Sequence, residues 1–166
     1  MPLAAIAPEA TDTLLDSAFG TDRRARTAYK IRAGTEFDPS LSFAAGDGAT
    51  LMGVIQCWPV ALTMDGGGTA PLVMIGPVAV LPDRQRDGIG RMLMNHMLAE
   101  AERTGQDRAL MLIGDPEYYG RFFGFSSAST GYWRVPGPID HHRLLARGPG
   151  VPPVAGTLGP HIVAIA

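Results

Sequence analysis

The stretch from Leu72 to Thr104 constrains the fold more than any other part of the chain. Leu72 to Leu81 is an uncharged apolar run of strand length, the pattern of a strand buried on both faces of a sheet. Pro82 to Asp87 is a polar break. Gly88 to Thr104 then reads as a helix, with Ile89, Leu93, Met97 and Ala101 on one face, Met92, His96 and Glu100 alongside, and Gly105 as its stop. A buried strand that feeds a helix through a short loop needs a layered α/β domain to cover it. The 166 residues, 46% hydrophobic and 18% charged, suffice for one such domain over 1–166 with a core of its own.

The remaining elements follow from local signals. Residues 2–7 read as a short strand. Thr11 is expected to cap a helix through Leu14, Leu15, Ala18 and Phe19, ended by Gly20, and Asp22 a second one closed by Gly34. Leu41 to Ala45 and Thr50 to Met64 read as strands joined at Gly46-Asp47-Gly48, and Asp65-Gly66-Gly67-Gly68 as a second turn. Ala109 to Gly114 is a further strand, Pro116 to Phe123 one or two helical turns, and Gly124 to Val135 a strand or hairpin. The tail from Pro136 is rich in Pro and Gly and ends in an apolar strand, Ile162 to Ala166, which could pair with a second subunit in a homodimer. This order is mixed α/β, with an antiparallel meander at its centre rather than alternating βα units.

Composition excludes several classes. A net charge of −2 and a pI of about 6.0 leave no basic footprint for nucleic acid. One cysteine, Cys57, excludes an internal disulfide framework and a multi-cysteine metal site, and its apolar surroundings favour packing over a reactive thiol. His141-His142 lacks an obvious third ligand, so no metal is expected. No apolar run reaches the ~20 residues of a membrane span, and Met1 to Ala7 lacks the positive start of a signal peptide. The expected compartment is the cytoplasm. One Lys against thirteen Arg points to a GC-rich bacterial genome.

The chemistry concentrates where the buried strand meets the helix. The first turn of a helix carries amides without intrahelical partners and about half a positive charge, and glycines admit an anion close to them. Gly88-Ile89-Gly90 opens the helix, with Arg84, Arg86 and Arg91 near it in sequence, so a pyrophosphate fits here. A dinucleotide fingerprint fails because Met92 and Leu93 follow Gly90 in place of a third glycine. An NTPase phosphate loop fails because no Lys-Ser/Thr pair follows the glycines.

Gln85-Arg86-Asp87-Gly88-Ile89-Gly90 resembles the acyl-CoA-binding motif Gln/Arg-x-x-Gly-x-Gly/Ala of the GNAT superfamily of N-acetyltransferases. Val78-Ala79-Val80-Leu81-Pro82 is similar to that superfamily's fourth strand, and Gly114 to Phe125 to its segment carrying a catalytic tyrosine. The Tyr-Tyr-Gly-Arg-Phe wording resembles the YhbS-like bacterial subgroup. The resemblance is strong over about 41–135 and loose over the tail.

The resemblance implies a central, mostly antiparallel sheet with a splayed parallel strand pair, about 72–81 and 109–114, and helices on both faces. It implies acetyl-CoA as cosubstrate and a primary amine, on a small molecule or a protein, as acceptor. The pantetheine arm would pair with the backbone of Val78, Ala79 and Val80 as an added strand. The pyrophosphate would lie on the backbone N–H groups of Arg86, Asp87, Gly88, Ile89, Gly90 and Arg91, and Gln85, Gly114 and Tyr119 would complete the cosubstrate site. Tyr119 is then the acid that protonates the departing thiolate, with Tyr118 as the alternative. The backbone N–H of Val80 is the oxyanion donor. The general base stays open among Glu36, Asp47, Glu117 and a water chain, because the strand carries no carboxylate. That absence also motivates a second reading, a non-catalytic acyl-CoA sensor or interaction domain. Arg143 and Arg147 are candidates for the adenosine 3′-phosphate or ordinary surface arginines. Both tyrosines could equally be an aromatic plug on the core.

Overall fold

The computed structural model describes residues 1–47 and 49–162, with Arg86 described by its backbone alone. Helices α1 (Pro8–Phe19) and α2 (Thr27–Ile31) precede strands β1 (Phe43–Gly46), β2 (Leu51–Met64) and β3 (Thr69–Val80). Helix α3 (Ile89–Thr104), β4 (Leu110–Ile113) and α4 (Pro116–Phe123) follow, then β5 (Trp133–Arg134), β6 (Leu144–Arg147) and β7 (Gly156–Pro160). The strands bond in the order β5-β7-β2-β3-β4-β6, with β1 on β2. β1–β2, β2–β7 and β4–β6 are antiparallel; β3–β4 and β5–β7 are parallel. The mixed α/β class is as expected, and so is the parallel pair that was anticipated around 72–81 and 109–114.

The chain forms two compact units, and both β2 and β3 pass from one into the other. The first holds Met1–Arg24, Phe37–Cys57 and Ile75–Gly105. Its core joins Leu3, Leu14 and Leu15 to Ala44, Val54 and Ala79. Helix α3 buries Ile89, Leu93, Met94, Met97, Leu98 and Ala101, the apolar face that the sequence spacing marks, with Met94 and Leu98 widening it. Gly53 on β2 makes its close approach possible. A Cβ there would stand 2.8 Å from Ile89 Cγ2, 3.1 Å from Leu93 Cδ1 and 3.2 Å from the Ala79 carbonyl. The ring of Phe43 meets His96 edge to face at 4.5 Å, tying α3 to β1. Arg23, buried, reaches back to Asp16 at 2.9 Å and Asp12 at 3.2 Å and fixes the end of α1.

The second unit holds Ala25–Glu36, Trp58–Met74 and the chain from Gln106 on. Its core gathers Ile31, Val60, Leu62, Leu72, Met74, Met111, Trp133, Leu144 and Leu158. Trp133 is the largest of its fully buried side chains, and its indole N–H donates to the Pro152 carbonyl at 3.2 Å.

Several local expectations are corrected. Residues 2–7 are not a strand: Pro2 makes one bridge to Phe43, and Leu3–Ala5 then turns as a 3-10 helix. Helix α1 starts at Pro8 rather than after Thr11, because proline suits a first helical position where no N–H is needed. Thr11 lies buried inside it. Asp22 caps no helix; a 3-10 turn, Arg23–Ala25, intervenes before α2. Between Gly124 and Val135 only β5 is a strand, plus a bridge from Ser126 to Ala146. The tail, given no strand before Ile162 in the sequence, supplies β6 and β7, whose ladders on β4 and β2 are tertiary and leave little local trace. Gly48 and the proposed dimer-forming strand beyond Ile162 lie outside the described residues.

Candidate active site

In the first unit, β3 ends with a defined backbone orientation. The N–H of Leu81 donates to the Met52 carbonyl on β2 at 2.9 Å. Successive amides of an extended strand point to opposite sides, so the N–H of Val80 points away from β2, and that of Val78, two residues earlier, does the same. The side chains of Ala79 and Val80 are buried, so backbone is what this end of the strand offers.

Gln85, Arg86 and Asp87 then complete a 3-10 turn, Pro82–Asp87. The turn hands over to α3 through Gly88, at φ 75° and ψ 15°, the left-handed conformation that glycine adopts without penalty. The first ladder bond of α3 runs from the N–H of Met92 to the Gly88 carbonyl at 3.0 Å, so the amides of Ile89, Gly90 and Arg91 precede the ladder. The Ile89 side chain anchors this turn in the core. A Cβ on Gly90 would stand 3.6 Å from Val80 Cγ2 and 3.8 Å from Val78 Cγ1, so the opening of the helix lies directly on the strand end. Asp87 meets Arg84 at 3.4 Å, which partly neutralises a carboxylate otherwise unfavourable beside a pyrophosphate.

In the second unit, the parallel ladder pairs Val73 with Leu110 and Met74 with Met111. β4 ends at Ile113, and the N–H of Gly114 donates to the Arg143 carbonyl at 2.9 Å, beside the start of β6. Asp115 caps α4 by accepting from the N–H of Glu117 at 3.1 Å. Gly124, at φ 75°, closes the helix, with the N–H of Phe125 donating to the Tyr119 carbonyl and that of Gly124 to the Gly120 carbonyl, both at 3.2 Å. The backbone of Tyr119 is thus pinned by the cap.

The Tyr119 ring lies 4.9 Å from Tyr118, 6.0 Å from Phe123 and 6.5 Å from Phe125, centroid to centroid. Among the described residues its hydroxyl makes no hydrogen bond, and the residue as a whole is half-buried. Burial, with Tyr118 and Asp115, pushes the phenol above its ordinary pKa, while the Arg143 guanidinium pulls the other way. Tyr118 packs instead on Phe122 at 5.5 Å and Phe123 at 5.6 Å.

The structure therefore brings Val78, Ala79, Val80 and residues 85–91 together in one unit, and Gly114, Tyr118 and Tyr119 in the other. Arg143 and Arg147 separate: Arg147 pairs with Leu110 at the start of β4, whereas Arg143 adjoins Gly114 at its end. The influence of Arg143 on Tyr119 is not legible in the sequence, because β6 carries no local strand signal there. Asp47, a candidate base, accepts the N–H of Thr50 at 3.0 Å, and Glu36 is exposed. His141 Nε2 lies 2.8 Å from the Trp133 carbonyl. Among the described residues no group of three His, Cys, Asp or Glu side chains is arranged to hold a metal, and no helix is long and apolar enough to cross a membrane.

The family model for the acetyltransferase (GNAT) domain matches residues 9–128. Two uncharacterized N-acetyltransferases of Streptomyces avermitilis are 26% identical over 111 residues and 29% identical over 113, or 67% and 68% of this chain. The chain spans only 27% of the length of each. The fold matches the YhbS GNAT-family N-acetyltransferase of Escherichia coli in complex with CoA, with a TM-score of 0.71, 23% identity and coverage of 97% of this chain and 86% of that one. It also matches a GNAT-family acetyltransferase of Brucella melitensis in complex with acetyl-CoA, with a TM-score of 0.60, 27% identity and coverage of 94% and 92%.

Proposed function

The chain belongs to the GNAT acetyltransferase family, and from that premise we propose that it transfers an acetyl group from acetyl-CoA to a primary amine by direct attack. The observation that carries the reading is the end of β3: backbone of Val78 and Val80 turned away from β2, followed directly by a glycine-led helix start packed on the same residues. A pantetheine amide chain pairs with such a strand as an added strand does. A pyrophosphate suits the amides of Gly88 to Arg91 and the positive end of α3, with Gln85, Arg86 and Asp87 in the turn that delivers them.

In the reaction the amine nitrogen attacks the thioester carbonyl carbon, an oxyanion forms, and the C–S bond breaks as the carbonyl re-forms. The N–H of Val80 serves as the oxyanion donor. The thiolate takes its proton from the Tyr119 hydroxyl, the proton lost by the amine passes to solvent, and the Tyr119 phenolate regains a proton from solvent, which closes the cycle. Tyr119 is assigned over Tyr118 because its backbone is pinned by the helix cap and its ring is fixed against Phe123 and Phe125. A phenol is a weaker acid than a thiol, so this transfer depends on positioning rather than on driving force.

The test is a screen of polyamines, amino acids, aminoglycosides and lysine peptides for CoA thiol release, repeated with Tyr119→Phe on the best acceptor. The expected result is turnover with at least one class, lowered by Tyr119→Phe with acetyl-CoA affinity held within a few-fold. Silence across all classes with tight CoA binding would replace this reading by the sensor reading. Unchanged turnover in Tyr119→Phe would remove the acid assignment.

A further inference from the structure

We propose that Gly114 is a positioning residue for Tyr119: the absence of a side chain at the end of β4 forms the seat on which the catalytic ring rests. The assignment rests on the acetyltransferase reading above and adds to it a residue that acts through another. A Cβ at Gly114 would stand 2.4 Å from Tyr119 Cε2 and 2.7 Å from its Cδ2, distances that side chains do not tolerate. The ring therefore lies against the bare backbone of Gly114. The glycine is there for space and not for conformation, since its φ is not among the positive values of the chain's glycines.

Neither side of this contact can readily yield. The strand side is held by the Gly114 N–H on the Arg143 carbonyl at 2.9 Å. The ring side is held by the cap bond to the Tyr119 carbonyl and by Tyr118, Phe123 and Phe125 around the ring. The one other close neighbour of the missing Cβ, Leu112 Cδ1 at 3.1 Å, is the tip of a flexible side chain and can move by a few tenths of an ångström. An alanine would thus displace the phenol, and a displacement of about 1 Å is enough to cost a large factor in rate.

Two cycles test this. In thermal melts, Gly114→Ala is expected to lower Tm in the wild-type background and to be neutral in Tyr119→Ala, where the ring it strikes is gone. Equal loss in both backgrounds would overturn the seat, and this readout holds whether or not an acceptor is found. In kinetics, Gly114→Ala is expected to lower kcat by about tenfold or more, with a smaller change in KM for acetyl-CoA and no further loss when added to Tyr119→Phe. A rise in KM alone, or equal losses in both backgrounds, would make Gly114 a cosubstrate contact instead. If Tyr119→Phe turns over normally, the acid assignment fails while the melting cycle still judges the seat.

Discussion

Burial favours the neutral phenol at Tyr119, as do Tyr118 and Asp115, and the Arg143 guanidinium is the counterweight. A raised pKa keeps the proton on the oxygen through neutral pH and beyond, so the group is neutral and holds a proton to donate across the whole working range. The ultraviolet phenolate signal of the wild type minus that of Tyr119→Phe is therefore expected to emerge only above pH 10, the ordinary tyrosine value. Arg143→Gln should move it higher still, because a cation that stabilises phenolate has gone. A midpoint at or below 10 in the wild type, or a downward shift in Arg143→Gln, would contradict this account of the site. At this scale the sequence is legible where the candidate site is made of consecutive residues. Gly88 and Gly90 stand three and five positions after Gln85, and Tyr119 stands one turn into a helix capped by Asp115. It was silent on Gly114 as a seat and on Arg143 as a counter-charge, since both relations depend on a ring or a strand brought in from elsewhere in the fold.

Helix α3 links stability to the site, because its first turn is at once core and candidate anion cradle. Gly53 sets how closely that turn approaches the sheet. Gly53→Ala forces Ile89, Leu93 or the Ala79 carbonyl to move, and overpacking of this kind costs about 1–3 kcal/mol. The expectation is a lower denaturant midpoint together with weakened CoA binding; a lowered midpoint with unchanged CoA affinity would separate the two roles. Gly88→Ala has room for its methyl group but must hold a left-handed backbone, at about 1–2 kcal/mol. Long, periodic elements such as α3 and β2 are legible to within a residue at their ends, and β3 to within one at its end and three at its start. Among the short ones, α4 is legible at both ends and β4 to within a residue, whereas β5, β6 and β7 are not. β7 is Gly-Thr-Leu-Gly-Pro, a sequence with turn chemistry, and it is a strand because Val60 to Met64 of β2 offer it a ladder. The start of α1 was missed because Pro8 outranks Thr11 as an opening signal.

Each compact unit has its own apolar core, and Cys57 ends the β2 segment of the first. Its thiol is fully buried, and burial, with Asp38 adding to it, pushes its pKa up, so the native thiol is neither accessible nor ionised. A thiol reagent is expected to label it only as fast as the surrounding structure opens; rapid labelling of the native protein would show that this part of the core is not closed. The central claim, that the β3 end and the opening of α3 read an acyl-CoA, is tested most directly by thermal shift with acetyl-CoA, CoA and ATP side by side. A ligand at 100 times its Kd adds about 2.7 kcal/mol, which for a chain of this size raises Tm by several degrees. Both CoA forms should produce that shift and ATP little of it, since ATP brings phosphates but no pantetheine to pair with Val78 and Val80. An equal shift with ATP, or none with either CoA form at millimolar concentration, would contradict the assignment of Gly88, Gly90 and Tyr119 to an acyl-CoA site.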